Sequence, residues 1–248
     1  MKLPTQLQVH NLLDHYKNYR YSDAEKLAIS MTQEFPEFPI SWKVLGAIFM
    51  RTCRMPGALV FQQKALELVP QDFEAHYDFG IVLQELGRFE ESEVSLRRAV
   101  QLNPDFIEGY YYLGIVYRAL DRLDEAEENY RKALELKPDL SEAVINIGQL
   151  YVDREQYELA LEQFDLLDTW DSRARGLESL YSLGRIEDIY KRIESQDDDK
   201  NIRVSALASF LNEREKKDTT HNFCKNPLDF LHYSKISSHI ENTDSFVT

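Results

Sequence analysis

Three groups of side chains in this 248-residue chain are of types that do chemistry. His76, Tyr77 and Asp78 spell HxD, two of the three ligands of an iron facial triad. That site needs the pair on a strand, a distant third histidine and open coordination positions. His221, Cys224, His232 and His239 offer imidazole and thiol ligands. A His-x2-Cys pair followed by two lone histidines is not a zinc spacing, and a polar tail accounts for it better. Carboxylates are the third group: Glu90, Glu91, Asp124, Glu125, Glu127 and Glu128, near Arg97, Arg98, Arg131 and Lys132. Acids at helix starts with bases further along are macrodipole compensation and surface pairing. No glycine-rich phosphate loop and no Ser/His/Asp or Cys/His frame is present. The reading is no catalytic, metal-binding or cofactor-binding residue, no cofactor, and no enzyme activity.

The elements that must carry these residues are set by a repeat. Glycines stand at Gly46, Gly80, Gly114 and Gly148, and prolines at Pro36, Pro70, Pro104 and Pro138. Both series share one period, and a period of this length means stacked structural units. In residues 107–140 the apolar series Tyr110, Leu113, Gly114, Tyr117, Leu120 and then Leu123, Ala126, Tyr130, Ala133, Leu134, Leu136 both step as helices do. Asp121 and Arg122 separate them, so each unit reads as an antiparallel helix pair. Each proline ends a second helix, since it lacks an amide donor and disfavours helix at the residue before it. Ser22 with Glu25 reads as a capping box opening the second helix of the first unit. A helix-interior glycine costs about 1 kcal/mol against alanine. Close approach of the partner helix at Ala58, Ser92, Ala126 and Ala160 is the compensation expected. His76 takes the slot of Trp42 and Tyr110, so its ring reads as core, and Trp42 is expected to be buried.

These positions resemble the tetratricopeptide repeat: Trp42, Leu45, Gly46, Ala58, Ala65 and Pro70 in one copy, and Tyr110, Leu113, Gly114, Tyr117, Ala126, Tyr130, Ala133 and Pro138 in another. The resemblance covers most of residues 5–168. It departs at Gln62, where an aromatic is usual, at Asn11 and Leu12 in place of Leu-Gly, and at Ser172, where no proline follows Pro138 in register. It implies an all-α fold, a right-handed superhelical solenoid of antiparallel helix pairs. The expected division is a solenoid over 1–217, with repeats 5–38, 39–72, 73–106, 107–140, 141–170 and 171–196 and a capping helix over 201–216. A non-repeat tail, 218–248, follows. The tail string FCKNPLDFLHYSKISSHI is similar to the connector ahead of an iron(II)/2-oxoglutarate oxygenase domain in marine bacterial tetratricopeptide proteins. It implies a runner-up role, the substrate-presenting part of a modifying enzyme whose catalytic domain is absent from this chain.

A net charge of −14 argues against nucleic acid and anionic membrane surfaces as partners. Two distant cysteines, Cys53 and Cys224, make no disulfide framework. The N-terminus lacks a signal-peptide core, and no apolar run reaches membrane-spanning length, so the expectation is cytoplasmic. The resemblance implies a concave groove lined by one face of each first helix. By register it holds Val9, Leu13, Lys43, Glu74, Tyr77, Ile81, Glu108, Tyr111, Ile115, Glu142 and Ile145, an apolar, tyrosine-bearing floor beside an acidic ladder. Tyr77 and Tyr111 packing against neighbouring helices is the competing reading. The chaperone-tail clamp is set aside, because Ala47, Asp78 and the glutamates replace all its members but Lys43. The expected function is a non-catalytic protein-interaction scaffold. Its partner is a protein or peptide with apolar anchors and basic flanks, and self-association stays open.

Overall fold

The computed structural model describes residues 3–195. The expected capping helix over 201–216, the 218–248 tail with its four candidate ligands, and the connector-like string lie outside the described residues. Among the described residues are twelve α-helices and no strand. They are α1 (Gln6–Lys17), α2 (Tyr21–Glu34), α3 (Pro39–Arg51), α4 (Met55–Leu68), α5 (Phe73–Glu85), α6 (Phe89–Leu102), α7 (Ile107–Ala119), α8 (Leu123–Leu136), α9 (Ser141–Asp153), α10 (Tyr157–Asp165), α11 (Trp170–Ser182) and α12 (Ile186–Ser195). The helices α2, α4, α6 and α8 each stop two residues before a proline, because the residue ahead of proline is driven out of helical geometry.

The chain forms two compact units, one up to Ala143 and one from Val144, so the division falls in the first turn of α9. In the first unit each helix packs on the next from α1 to α8, and α1, α3, α5 and α7 also touch in succession. One face of this unit is therefore built from first helices alone. Its N-terminal core is Leu12, Ala24, Ala28, Met31, Phe35, Val44, Leu45 and Ile48. In the second unit Gly148 of α9 meets the ring of Phe164 on α10. Here α10 packs on α11 and α11 on α12, around Leu161, Ala174, Leu177, Leu180, Ile189, Tyr190 and Ile193.

The turn inside each hairpin repeats one geometry. Tyr19, Cys53, Gly87, Asp121, Glu155 and Gly184 all have positive φ, between 55° and 72°. Each is followed by an amide that reaches back to the last turn of the preceding helix. Arg54 N to Phe49 O is 2.8 Å, and Arg122 N to Tyr117 O is 2.9 Å. This is the left-handed closure that satisfies carbonyls at a helix end. It also corrects the start of α2. The helix begins at Tyr21 behind Arg20, which makes no side-chain cap, so Ser22 lies inside the helix and forms no capping box. The closure at Tyr19, not a hydroxyl, sets where α2 starts.

The glycines do make room, but for larger side chains than expected. A Cβ on Gly46 would lie 2.6 Å from the Gln62 amide, and one on Gly80 2.8 Å from Leu96. One on Gly114 would strike the Tyr130 ring. The residue that fills each gap stands one helical turn beyond Ala58, Ser92, Ala126 or Ala160. Ser92 touches its glycine differently, its hydroxyl donating to Gly80 O at 2.7 Å. Trp42 is half-buried rather than buried. Its Nε1 donates to Pro36 O at 2.9 Å, and its ring lies 6.2 Å from Phe61.

Candidate functional site

The face formed by α1, α3, α5 and α7 holds most of the residues singled out by register. Val9 and Leu13 on α1 are half-buried and lean on the N-terminal core. Ile81 on α5 and Ile115 on α7 are half-buried. Glu108 and Glu142 are exposed. Ile145 is half-buried in the second unit.

The tyrosines are both packed and accessible. Tyr77 makes T-shaped contacts with Phe106 at 4.9 Å and Tyr112 at 5.6 Å. Tyr111 meets Tyr112 at 5.3 Å and Tyr130 at 5.9 Å. Phe73 adds an edge contact to Phe106 at 5.0 Å. Such edge-to-face pairs fix ring orientation and add to area burial. Tyr77 and Tyr111 nevertheless stay only half-buried. Burial first, then the charges near Tyr112, Asp78 and Glu108, push the Tyr77 hydroxyl upward, so it remains a neutral phenol. The result is a continuous aromatic strip from α5 to α7. Register alone found two of its rings; Phe73, Phe106 and Tyr112 join it only through three-dimensional packing.

At the α3–α5 end the acidic ladder takes a specific form. Asp72 caps α5, its Oδ1 accepting from Glu74 N at 2.9 Å. Lys43 Nζ donates to Asp72 Oδ2 and Glu74 Oε2, both at 2.9 Å. Burial alone would lower the Lys43 pKa; the hydrogen bonds to Glu74 and Asp72 outweigh it, and the net shift is upward. Glu74 is thus held by an internal ammonium, while its side chain is still 60% exposed. Asp78, one turn on, is the more perturbed group. Burial raises its carboxyl to about 6; Lys43 opposes this, Glu74 and Asp72 reinforce it, and a bond from Gln62 opposes it. Gln62 is fully buried. Its Nε2 reaches Asp78 Oδ2 at 3.4 Å and Met50 Sδ at 3.8 Å, and its Oε1 has no partner among the described residues. Sequence reasoning passed over Asp78 and Gln62 as site residues, although a glutamine in an aromatic's place was the signal.

His76 is half-buried on the other side of α5, its Nε2 3.1 Å from Pro70 O. Burial lowers its pKa. Among the described residues no three His, Cys, Asp or Glu stand together to hold a metal ion. No described helix is long and apolar enough to cross a membrane.

The tetratricopeptide repeat family model matches residues 107–140, and a second model, described as TPR repeat, matches residues 82–121. No curated protein matches the sequence. Among solved structures, a tetratricopeptide repeat protein from Parabacteroides merdae superposes with a TM-score of 0.68 at 18% identity, over 85% of this chain and 86% of its own. PilF of Pseudomonas aeruginosa gives 0.64 at 18%, over 83% and 90%. YrrB, described as a TPR protein with an unusual peptide-binding site, gives 0.59 at 19%, over 74% and 92%. Identity at this level carries the fold and nothing finer. The repeats spanning residues 82–140 are tetratricopeptide repeats, and the described chain has the fold of the solved tetratricopeptide-repeat proteins.

Proposed function

We propose that this protein is a non-catalytic interaction scaffold that takes a peptide or protein segment along the α1–α3–α5–α7 face. The tetratricopeptide fold is one of interaction scaffolds. The observation that carries the finer reading is the row of half-buried apolar residues on that face, Val9, Leu13, Ile81 and Ile115, flanked by Tyr77 and Tyr111. A strip with aromatic edges supplies anchor sites at little entropic cost, because its rings are already packed against their neighbours. YrrB, a neighbour in fold, is described as having an unusual peptide-binding site. The exposed Glu108 and Glu142, with the overall charge of −14, favour a segment with Lys or Arg beside its apolar anchors.

The experiment is selection of a random-peptide display library on the full chain. Binders with apolar anchors and basic flanks are expected. Ile81→Asp and Ile115→Asp should each weaken them by about tenfold or more, with the helical circular-dichroism spectrum unchanged. Binders indifferent to both substitutions, or no binders at all, would end this reading.

A further inference from the structure

We infer that Asp72, Glu74 and Asp78 form a subsite for a lysine or arginine side chain of the bound segment. This rests on the groove reading above and names the chemistry of one end of it.

The cluster is short of cations. Among the described residues, three carboxylates from the cap and first two turns of α5 stand near one ammonium, that of Lys43 on α3, which donates to Asp72 and Glu74. Among the described residues Asp78 receives a side-chain hydrogen bond only from the neutral Gln62 amide on α4, at 3.4 Å. A second observation points the same way. Gln62 is fully buried, its amide meets the cluster through Nε2 at Asp78, and the Oε1 of the same amide has no donor among the described residues. A buried acceptor without a donor is costly and rarely tolerated. An arriving ammonium or guanidinium brings both the missing charge and several donors.

The groups acting on Asp78 are Lys43 from α3, Gln62 from α4, and Glu74 and Asp72 from its own helix and cap. From α7, Glu108 and Tyr112 act on the adjacent Tyr77. Burial and the two like charges hold the Asp78 carboxyl at about 6. A cation favours the ionised carboxylate and lowers that value. The sign follows. Below about pH 6 the site must expel a proton to bind, so affinity is weaker; it rises as pH passes upward through 6 and then levels.

The test uses the full chain and two labelled peptides, one alternating leucine and lysine, one alternating leucine and glutamine. Binding is measured at low ionic strength. The lysine peptide should bind about three- to tenfold tighter at about pH 7.5 than at about pH 5, with the glutamine peptide flat. D78N should flatten the lysine peptide's profile. K43Q, which removes the resident ammonium, should move its inflection to higher pH and tighten binding at about pH 7.5. Suppose the lysine peptide binds in an Ile81→Asp-sensitive way but keeps one pH profile in wild type and D78N. The subsite is then wrong and the groove stands. If neither peptide binds, or binding ignores Ile81→Asp, the groove falls and the subsite with it.

Discussion

Asp78 carries a stability signature of its own. Its folded pKa, about 6, stands above the ordinary value of 3.8. Between these values the native state holds a proton that the unfolded chain has released. Stability therefore declines as pH rises through that window, and above it the ionised, buried carboxylate costs the fold about 1–3 kcal/mol. D78N should be more stable than wild type by about that amount at neutral pH, with the difference vanishing near pH 4, as read by urea titration at the two pH values. The same scale holds Gly114. A methyl there strikes the Tyr130 ring, which is fully buried and cannot retreat. Gly114→Ala should cost about 1–3 kcal/mol despite better helix propensity. At this scale the sequence was only half legible. Glycine's role as a space-maker followed from its cost in a helix. What filled the space did not, because an amide, an aliphatic chain and two aromatic rings take the same position at Gln62, Leu96, Tyr130 and Phe164. Asp78 lay in a motif read for iron and dismissed for iron, and its actual surroundings come from three separate helices.

Among the elements, the turns matter as much as the helices. Gly87 has a φ of 72° and open space around it, so a side chain there clashes with nothing beyond its own backbone. Gly87→Val should still destabilise by about 1–2 kcal/mol, because a branched residue resists the left-handed region; chemical denaturation reads it. At the matching turn, Arg122 stacks over Tyr117 with 4.5 Å to the ring centroid and donates to Glu93 at 2.8 Å. Glu93, with 12% of its side chain exposed, also accepts from Tyr117 Oη at 3.2 Å and from Arg97 at 3.3 Å. Truncating it removes the acceptor of the Tyr117 hydroxyl and one of the two carboxylate partners of Arg122, the other being Glu125. Glu93→Ala should cost about 1–3 kcal/mol, more than Glu91→Ala, whose partner Arg88 is exposed in its own helix turn. Helix periods and stops were legible, since proline and apolar spacing act locally. The turns were not. Tyr19, Cys53, Asp121 and Glu155 take a conformation that composition assigns to glycine, and it is the closure bond to the preceding helix that holds them there.

For the molecule as a whole, stacking makes stability local. Repeats contact their neighbours, and interior ones have two. On α1 the buried residue is Leu12 alone, whereas α7 buries Gly109, Leu113, Gly114, Val116 and Tyr117. Hydrogen exchange should therefore be slowest in α5–α8 and fastest in α1, with Leu96→Ala lowering protection across α5–α7 rather than across the chain. Uniform exchange would mean a single cooperative core instead. Fold class was the most legible property of all, because a repeat states the same instruction several times and a single ambiguous residue is outvoted.

The recurrence of left-handed closures at Tyr19, Cys53, Gly87, Asp121 and Glu155 has an engineering corollary. These joints share the positive φ and the closure bond, so cutting the chain at one and rejoining it at the next should keep the turn. A protein of this kind can be lengthened or shortened in whole hairpins, by splicing modules rather than by reshaping them.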